Sequence, residues 1–172
     1  MEVSNNYNNY NDILETEEVR DTTTFLMVKV NGLDFALDFS QIREIISAPP
    51  ITQIPEFPKY VCGVCNVNEK LVPVINSRVR FGYEDAPMTD RSCVVVVRVD
   101  DKEAGLLVDS VSKFRETFVD TIKPPPEVNG EAVTRYITGM FKRTNGDICF
   151  IVNASFMLSD EEKSRVFSDK VN

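Results

Sequence analysis

Cys62-Gly63-Val64-Cys65 carries the two-residue spacer of zinc and dithiol sites. A zinc site needs a second pair of ligands, and Cys93 and Cys149 stand alone in separate apolar runs. In an extended strand, residues 62 and 65 differ by an odd number, which puts their side chains on opposite faces. The expectation is four buried, unpaired thiols and no metal. The chain contains no histidine, which excludes Ser–His and Cys–His nucleophile pairs and every histidine metal site. Asp34, Asp38, Asp100 and Asp101 fall in or beside turns, where solvated aspartates are the usual occupants. No glycine-rich phosphate loop of either common spacing is present. With these catalytic parts missing, neither enzymatic activity nor a cofactor is expected.

Charge narrows the partners. A formal net charge of -8 over 172 residues argues against nucleic acid, whose phosphates must be met by clustered lysine and arginine. No apolar run exceeds the length of Cys93 to Val97, which falls far short of the ~20 residues of a membrane helix. The start, MEVSNNYNNYND, lacks the basic and apolar stretches of an export signal, so a cytoplasmic location is expected. Residues 1–21 place Glu2, Asp12, Glu15, Glu17, Glu18 and Asp21 against Arg20 alone. So polar and acidic a segment cannot offset its ordering entropy, which predicts a disordered tail.

The elements that would position any site are short strands. Thr24–Val30 and Leu33–Phe39 flank Asn31-Gly32, the strongest two-residue hairpin signal. Ser40 then has the position of a cap for a short helix whose apolar side is Ile42, Ile45 and Ile46, with Arg43 and Glu44 outward. Val61–Val67 and Leu71–Ile75 form a second hairpin, in which Pro73 predicts an edge strand or a bulge. A brief helix or turn is expected at Ser77–Phe81. Three strands follow as a meander, Cys93–Val99, Ala104–Val111 and Lys113–Val119, with Gly105 marking a bulge or a close backbone approach. Pro124, Pro125 and Pro126 impose an extended spacer. Tyr136–Lys142 and Ile148–Val152 make the last hairpin, and Ser159 with Glu162 has the spacing of a capping box that opens a C-terminal helix over 159–172. Many short strands with little helix predict a sandwich or small barrels.

These pieces, in this order, resemble the CheW family of chemotaxis coupling proteins over Thr24–Leu158. The resemblance rests on the opening hairpin, Ile42-Arg43-Glu44-Ile45, the Pro55–Pro58 spacer, Gly63-Val64-Cys65-Asn66, Val72-Pro73-Val74-Ile75-Asn76, Gly105-Leu106-Leu107-Val108-Asp109-Ser110-Val111 and Ile137-Thr138-Gly139. It implies a mainly β fold of two small five-stranded SH3-like barrels sharing a hydrophobic seam, as one CheW-like domain over 22–158. One departure stands out. Where the family usually has Asn-Leu-Arg-Gly at the tip of the central hairpin, this chain has Asn66-Val67-Asn68-Glu69. Because glutamate resists the left-handed conformation, a shift of turn type or register is expected there.

The resemblance further implies an adaptor that couples chemoreceptors to the histidine kinase CheA in a membrane-associated array. The kinase regulatory domain would be met by Glu44, Ile45 and Gly105, where Gly105→Arg would block docking without disturbing the core. A ring interface with other CheW-like subunits would use Lys123, Glu127 and Val128. The receptor tip would be met by Ile42, Ser92, Cys93, Val94 and Phe114, with Asn68 beside them. On residue type alone, Ile42, Ile45, Val94 and Phe114 are core and Glu44 is a solvated residue. Two other functions stay open: a β-barrel module of another signalling pathway, such as pilus motility, and a redox or metal protein using Cys62 and Cys65.

Overall fold

The computed structural model describes residues 18–127 and 132–168, so the N-terminal tail expected to be disordered lies mostly outside the described residues. Ten strands are described: β1 Thr22–Val30, β2 Leu33–Asp38, β3 Ile42–Ser47, β4 Val61–Val67, β5 Lys70–Asn76, β6 Cys93–Val99, β7 Lys102–Val108, β8 Ser110–Phe118, β9 Ile137–Lys142 and β10 Ile148–Val152. Two short helices accompany them, α1 Ser77–Arg80 and α2 Asp160–Val166. The strands form two five-stranded sheets, in the orders β8-β1-β2-β10-β9 and β3-β6-β7-β5-β4.

Burial explains why several strands read as continuous apolar runs. In β1, Phe25 and Met27 join one small core with Ala36, Phe141, Cys149 and Ile151, while Leu26, Val28 and Val30 join a larger cluster. In β6, Val94 and Val96 join another small core with Cys65, Val67, Val72 and Val74, while Cys93, Val95, Val97 and Val99 face the larger cluster. Alternate residues of one strand therefore line a barrel interior and a seam between barrels. The fold is two five-stranded barrels sharing an apolar seam, as the resemblance implies.

Local chemistry sets the turns. Asn31 and Gly32 take φ of 52° and 76°, the pair of positive values that a tight two-residue hairpin turn requires, and Val30 faces Leu33. Asn76 caps α1 by accepting from the Val79 N–H. The Ser159 hydroxyl accepts from the Glu162 N–H and the Glu162 carboxylate from the Ser159 N–H, the reciprocal pair expected from their spacing.

Four local expectations fail. Residues 42–47 are not a helix: a 3-10 turn over Phe39–Gln41, capped by Asp38 and not by Ser40, runs into edge strand β3 paired with β6. A bulge between Ile42 and Glu44 puts Ile42 opposite Val97 and Ile45 opposite Val95, both on the seam face, so a three-residue spacing imitates a helical one. The meander breaks after β7, because β8 leaves to pair with β1 in the other sheet. Pro73 lies in an interior strand. Val64, its partner across β4, spends its own N–H and C=O on Thr52, so Pro73 needs no amide hydrogen on that side, and the ladder to β7 begins only at Val74. Finally, a bulge at Val61/Gly63 defeats the odd-number argument for the cysteines, and both Cys62 and Cys65 pack against the second barrel's core. Burial pushes the Cys62 thiol up to about 11 and the Cys149 thiol to about 12, so both stay protonated and poorly nucleophilic.

Polar clamps join the barrels across the seam. Arg78 grips Asp109 through Nε at 2.7 Å and Nη2 at 2.8 Å, and the Asn31 N–H donates to the same carboxylate at 2.7 Å. On another side, Gln41 donates to Asn153 at 3.0 Å and accepts from the Ala154 N–H at 3.2 Å.

A candidate interaction surface at the mouth of the seam

The seam is open where the edge strands β3 and β8 leave its apolar faces uncovered. Phe114 of β8 stands opposite Leu26, so it shares the seam face, yet it is 50% exposed. Phe39, on the 3-10 turn leading into β3, is 55% exposed and meets Phe114 edge to face, with centroids 5.5 Å apart. Ile42 is half-buried against the seam core and Ile45 is exposed. Two aromatic rings, with two isoleucines of the neighbouring edge strand, thus form an apolar mouth. Phe39 was not legible as a site residue, because a phenylalanine ending a strand has the pattern of a core residue.

Beside this mouth lies the tip of the β4–β5 hairpin. The Asn68 amide donates to the Glu44 carboxylate at 3.2 Å, tying the tip to β3. Val67 faces Lys70 across a two-residue turn in which Asn68 and Glu69 take φ of 51° and 67°, so Glu69 does adopt the left-handed conformation. The Asn66 side chain steadies it by accepting from the Glu69 N–H at 3.0 Å. A glutamate in this conformation costs about 1–2 kcal/mol, less the ~0.5–1 kcal/mol that glycine loses to chain entropy. Glu69→Gly is therefore expected to stabilise the protein by about 1 kcal/mol, seen as a higher urea midpoint at unchanged slope; an unchanged or lower midpoint would show that the turn bears no such strain.

The remaining expected site residues divide. Glu44, Lys123 and Glu127 are exposed, and Lys123 forms a backbone bridge with Met140. Val128 lies outside the described residues. Ser92, Cys93 and Val94 are not surface groups, being 5%, 9% and 0% exposed in and beside interior strand β6. Ser92 accepts from the Ala48 and Thr89 N–H groups, a structural role at the end of β3. Gly105 is buried in interior strand β7, where an added Cβ would stand 2.5 Å from Val94 Cγ1 inside the second barrel. It marks a close approach of a side chain, not a bulge and not an exposed patch.

Among the described residues, no three His, Cys, Asp or Glu side chains are placed to hold a metal ion, and no helix is long and apolar enough to cross a membrane. An exposed apolar mouth with a polar tip, mounted on two fused barrels, defines a protein-binding scaffold. The CheW-like domain model matches residues 24–162. The chain is 30% identical over 135 residues to a probable chemotaxis protein CheW of Rhizobium etli, covering 78% of this chain and 87% of that one. It is 31% identical over 129 residues to Protein PilI of Pseudomonas aeruginosa, covering 73% and 71%. The crystal structure of the scaffolding protein TtCheW from Thermoanaerobacter tengcongensis superposes with a TM-score of 0.76 at 26% identity, over 83% of this chain and 97% of that one. The chain belongs to the CheW-like family and is a chemotaxis adaptor.

Proposed function

We propose that the protein works without catalysis of its own, coupling the cytoplasmic tip of chemoreceptors to the regulatory domain of a CheA-type histidine kinase. The observation that carries this reading is the exposed Phe39–Phe114 pair at the seam mouth. Clustered aromatic side chains that remain exposed on a rigid scaffold are the typical energetic centre of a protein interface. In this reading Phe39, Ile42 and Phe114 meet the receptor tip, with Asn68 at the rim. Glu44 and Ile45 meet the kinase domain, and Gly105 serves only by letting β7 pack. Lys123, Glu127 and Val128 join neighbouring CheW-like subunits into rings, and the protein sits in the cytoplasm at a receptor array through these contacts.

A second reading keeps the adaptor chemistry but places it in another signalling pathway, such as pilus motility. It is favoured by the altered tip, where Glu69 and neutral Asn68 present less positive charge than the family's arginine and glycine, and so suit a less acidic partner. Calorimetry with a receptor-tip fragment and with the kinase regulatory domain tests the main reading. Phe39→Ala with Phe114→Ala is expected to weaken the receptor fragment at least ten-fold, about 1.4 kcal/mol, while the kinase domain binds as before. Undiminished receptor binding by the folded double variant would overturn it.

A further inference from the structure

The described residues contain four half-buried arginines, and three of them hold a carboxylate: Arg78 with Asp109, Arg80 with Glu162 and Arg143 with Asp34. The fourth, Arg115, has no carboxylate or hydrogen-bond partner among the described residues. It lies on the face of β8 opposite to that of Phe114, level with Phe25, and so at the rim of the first barrel and not at the seam mouth. Its guanidinium carbon stands 5.6 Å from the centre of the Phe141 ring, which itself stacks on Phe25 at 5.6 Å. The fork is therefore held on an aromatic base with no protein acceptor among the described residues, which leaves its planar set of donors available to a partner.

The surroundings favour an anion. Lys113, exposed at the register shift of β8, is two residues from Arg115, and both Arg115 and Arg143 act electrostatically on the Cys149 thiol in the same barrel. Asp34 is the acidic group of this rim, and it is saturated: Oδ1 accepts from Lys29 at 2.8 Å and Oδ2 from Arg143. One planar fork beside a spent carboxylate suits a single monoanionic carboxylate. A phosphate monoester would concentrate two charges at that one fork, where a chain of net charge -8 opposes it more strongly than it opposes a carboxylate.

We propose that the rim of the first barrel is a second docking surface, on which Arg115 takes an aspartate or glutamate side chain of an acidic protein segment in a bidentate pair. This surface stands apart from the seam mouth and does not depend on the function proposed for it. Wherever the three other half-buried arginines have found a carboxylate within the chain, Arg115 finds one on the partner.

The test uses the full chain, isotopically labelled, titrated with an acetylated, amidated (Gly-Glu)4 peptide and, as control, its (Gly-Gln)4 counterpart. Saturable shifts are expected at the Arg115 side-chain and Phe141 signals with the acidic peptide only. Affinity should fall at least five-fold in Arg115→Gln and stay unchanged in Arg98→Gln, whose arginine is exposed on β6. If Arg115→Gln does not fold, Arg115→Lys decides, because it keeps the charge but loses the fork and should bind at least two-fold more weakly. Equal binding by the position-115 variants, or shifts spread evenly over Arg43, Arg91, Arg98 and Arg115, would reduce the effect to general attraction and overturn the site. Tighter binding of inorganic phosphate than of the peptide at Arg115 would overturn the assignment to a carboxylate.

Discussion

Gly105→Arg is expected to unfold the protein, not merely to block docking. The glycine sits in β7 between β5 and β6, facing Val74 on one side and Val96 on the other. A Cβ alone would stand 2.5 Å from Val94 Cγ1 and 3.4 Å from Val74 Cγ2, both in the core of the second barrel. Overpacking of this kind costs about 1–3 kcal/mol, and an unpaired buried charge about 3–5 kcal/mol more. Against a typical domain stability of about 5–15 kcal/mol, a loss above about 4 kcal/mol leaves little folded state in reserve. Circular dichroism and urea unfolding should show the loss, with Gly105→Ala intermediate. A folded Gly105→Arg protein with a wild-type midpoint would disprove the packing argument. Loss of kinase binding in such a variant would thus report unfolding and say nothing of a contact at residue 105.

Arg80→Ala should remove about 3 kcal/mol, because it takes from the half-buried Glu162 carboxylate its charged partner and from the Met157 carbonyl its side-chain donor. Arg80 donates to Glu162 through Nη1 at 3.0 Å and Nη2 at 2.5 Å, and to the Met157 carbonyl through Nε at 2.7 Å. Its guanidinium also covers the Tyr60 ring at 4.1 Å and approaches Tyr136 at 5.2 Å. Burial alone would push the Glu162 carboxyl up. The hydrogen bonds from Arg80, the Ser159 N–H and the Tyr60 hydroxyl, with the charge of Arg80, outweigh it and hold the group down at about 2. A carboxyl depressed by folding stabilises the native state fully above its unfolded value near 4.5, and the gain disappears as pH falls toward about 2. The wild type should therefore lose stability between about pH 4.5 and 2 more steeply than Glu162→Gln does. Parallel pH curves for the two proteins would remove Glu162 from the account of acid unfolding.

Much of the fold was legible where one residue pair dictates local geometry. Asn31-Gly32 fixed its hairpin, Ser159 and Glu162 their capping box, and Cys93–Val99 its strand to the residue. The errors share a physical cause. At Ile42–Glu44 and at Val61–Gly63 a bulge adds one residue to a strand, and periodicity arguments lose phase there. Inserted order is likewise invisible in local pattern, so β8 was assigned to the wrong sheet. The candidate site was legible only in part. Ile42, Ile45 and Phe114 lie at the seam mouth, whereas Val94 and Gly105 face a barrel interior, because adjacent residues of a strand buried on both faces have the same composition. Phe39 and Arg115 carried no signal, since exposure of one and isolation of the other arise from tertiary placement.

The strand order of the first sheet also governs how the chain emerges from the ribosome. The second barrel, β3 to β7, is continuous in sequence, whereas the first is assembled from β1 and β2 with β8, β9 and β10. The parallel pairing of Phe35 with Phe150, in the middle of that sheet, joins its earliest strands to its last across most of the chain. During synthesis the earliest strands, with Phe25, Leu26 and Val28 uncovered, must wait while the inner barrel is made and can already fold. Nascent chains halted before β8 should thus protect β6 and β7 from protease while leaving β1 open to cleavage and to chaperone capture.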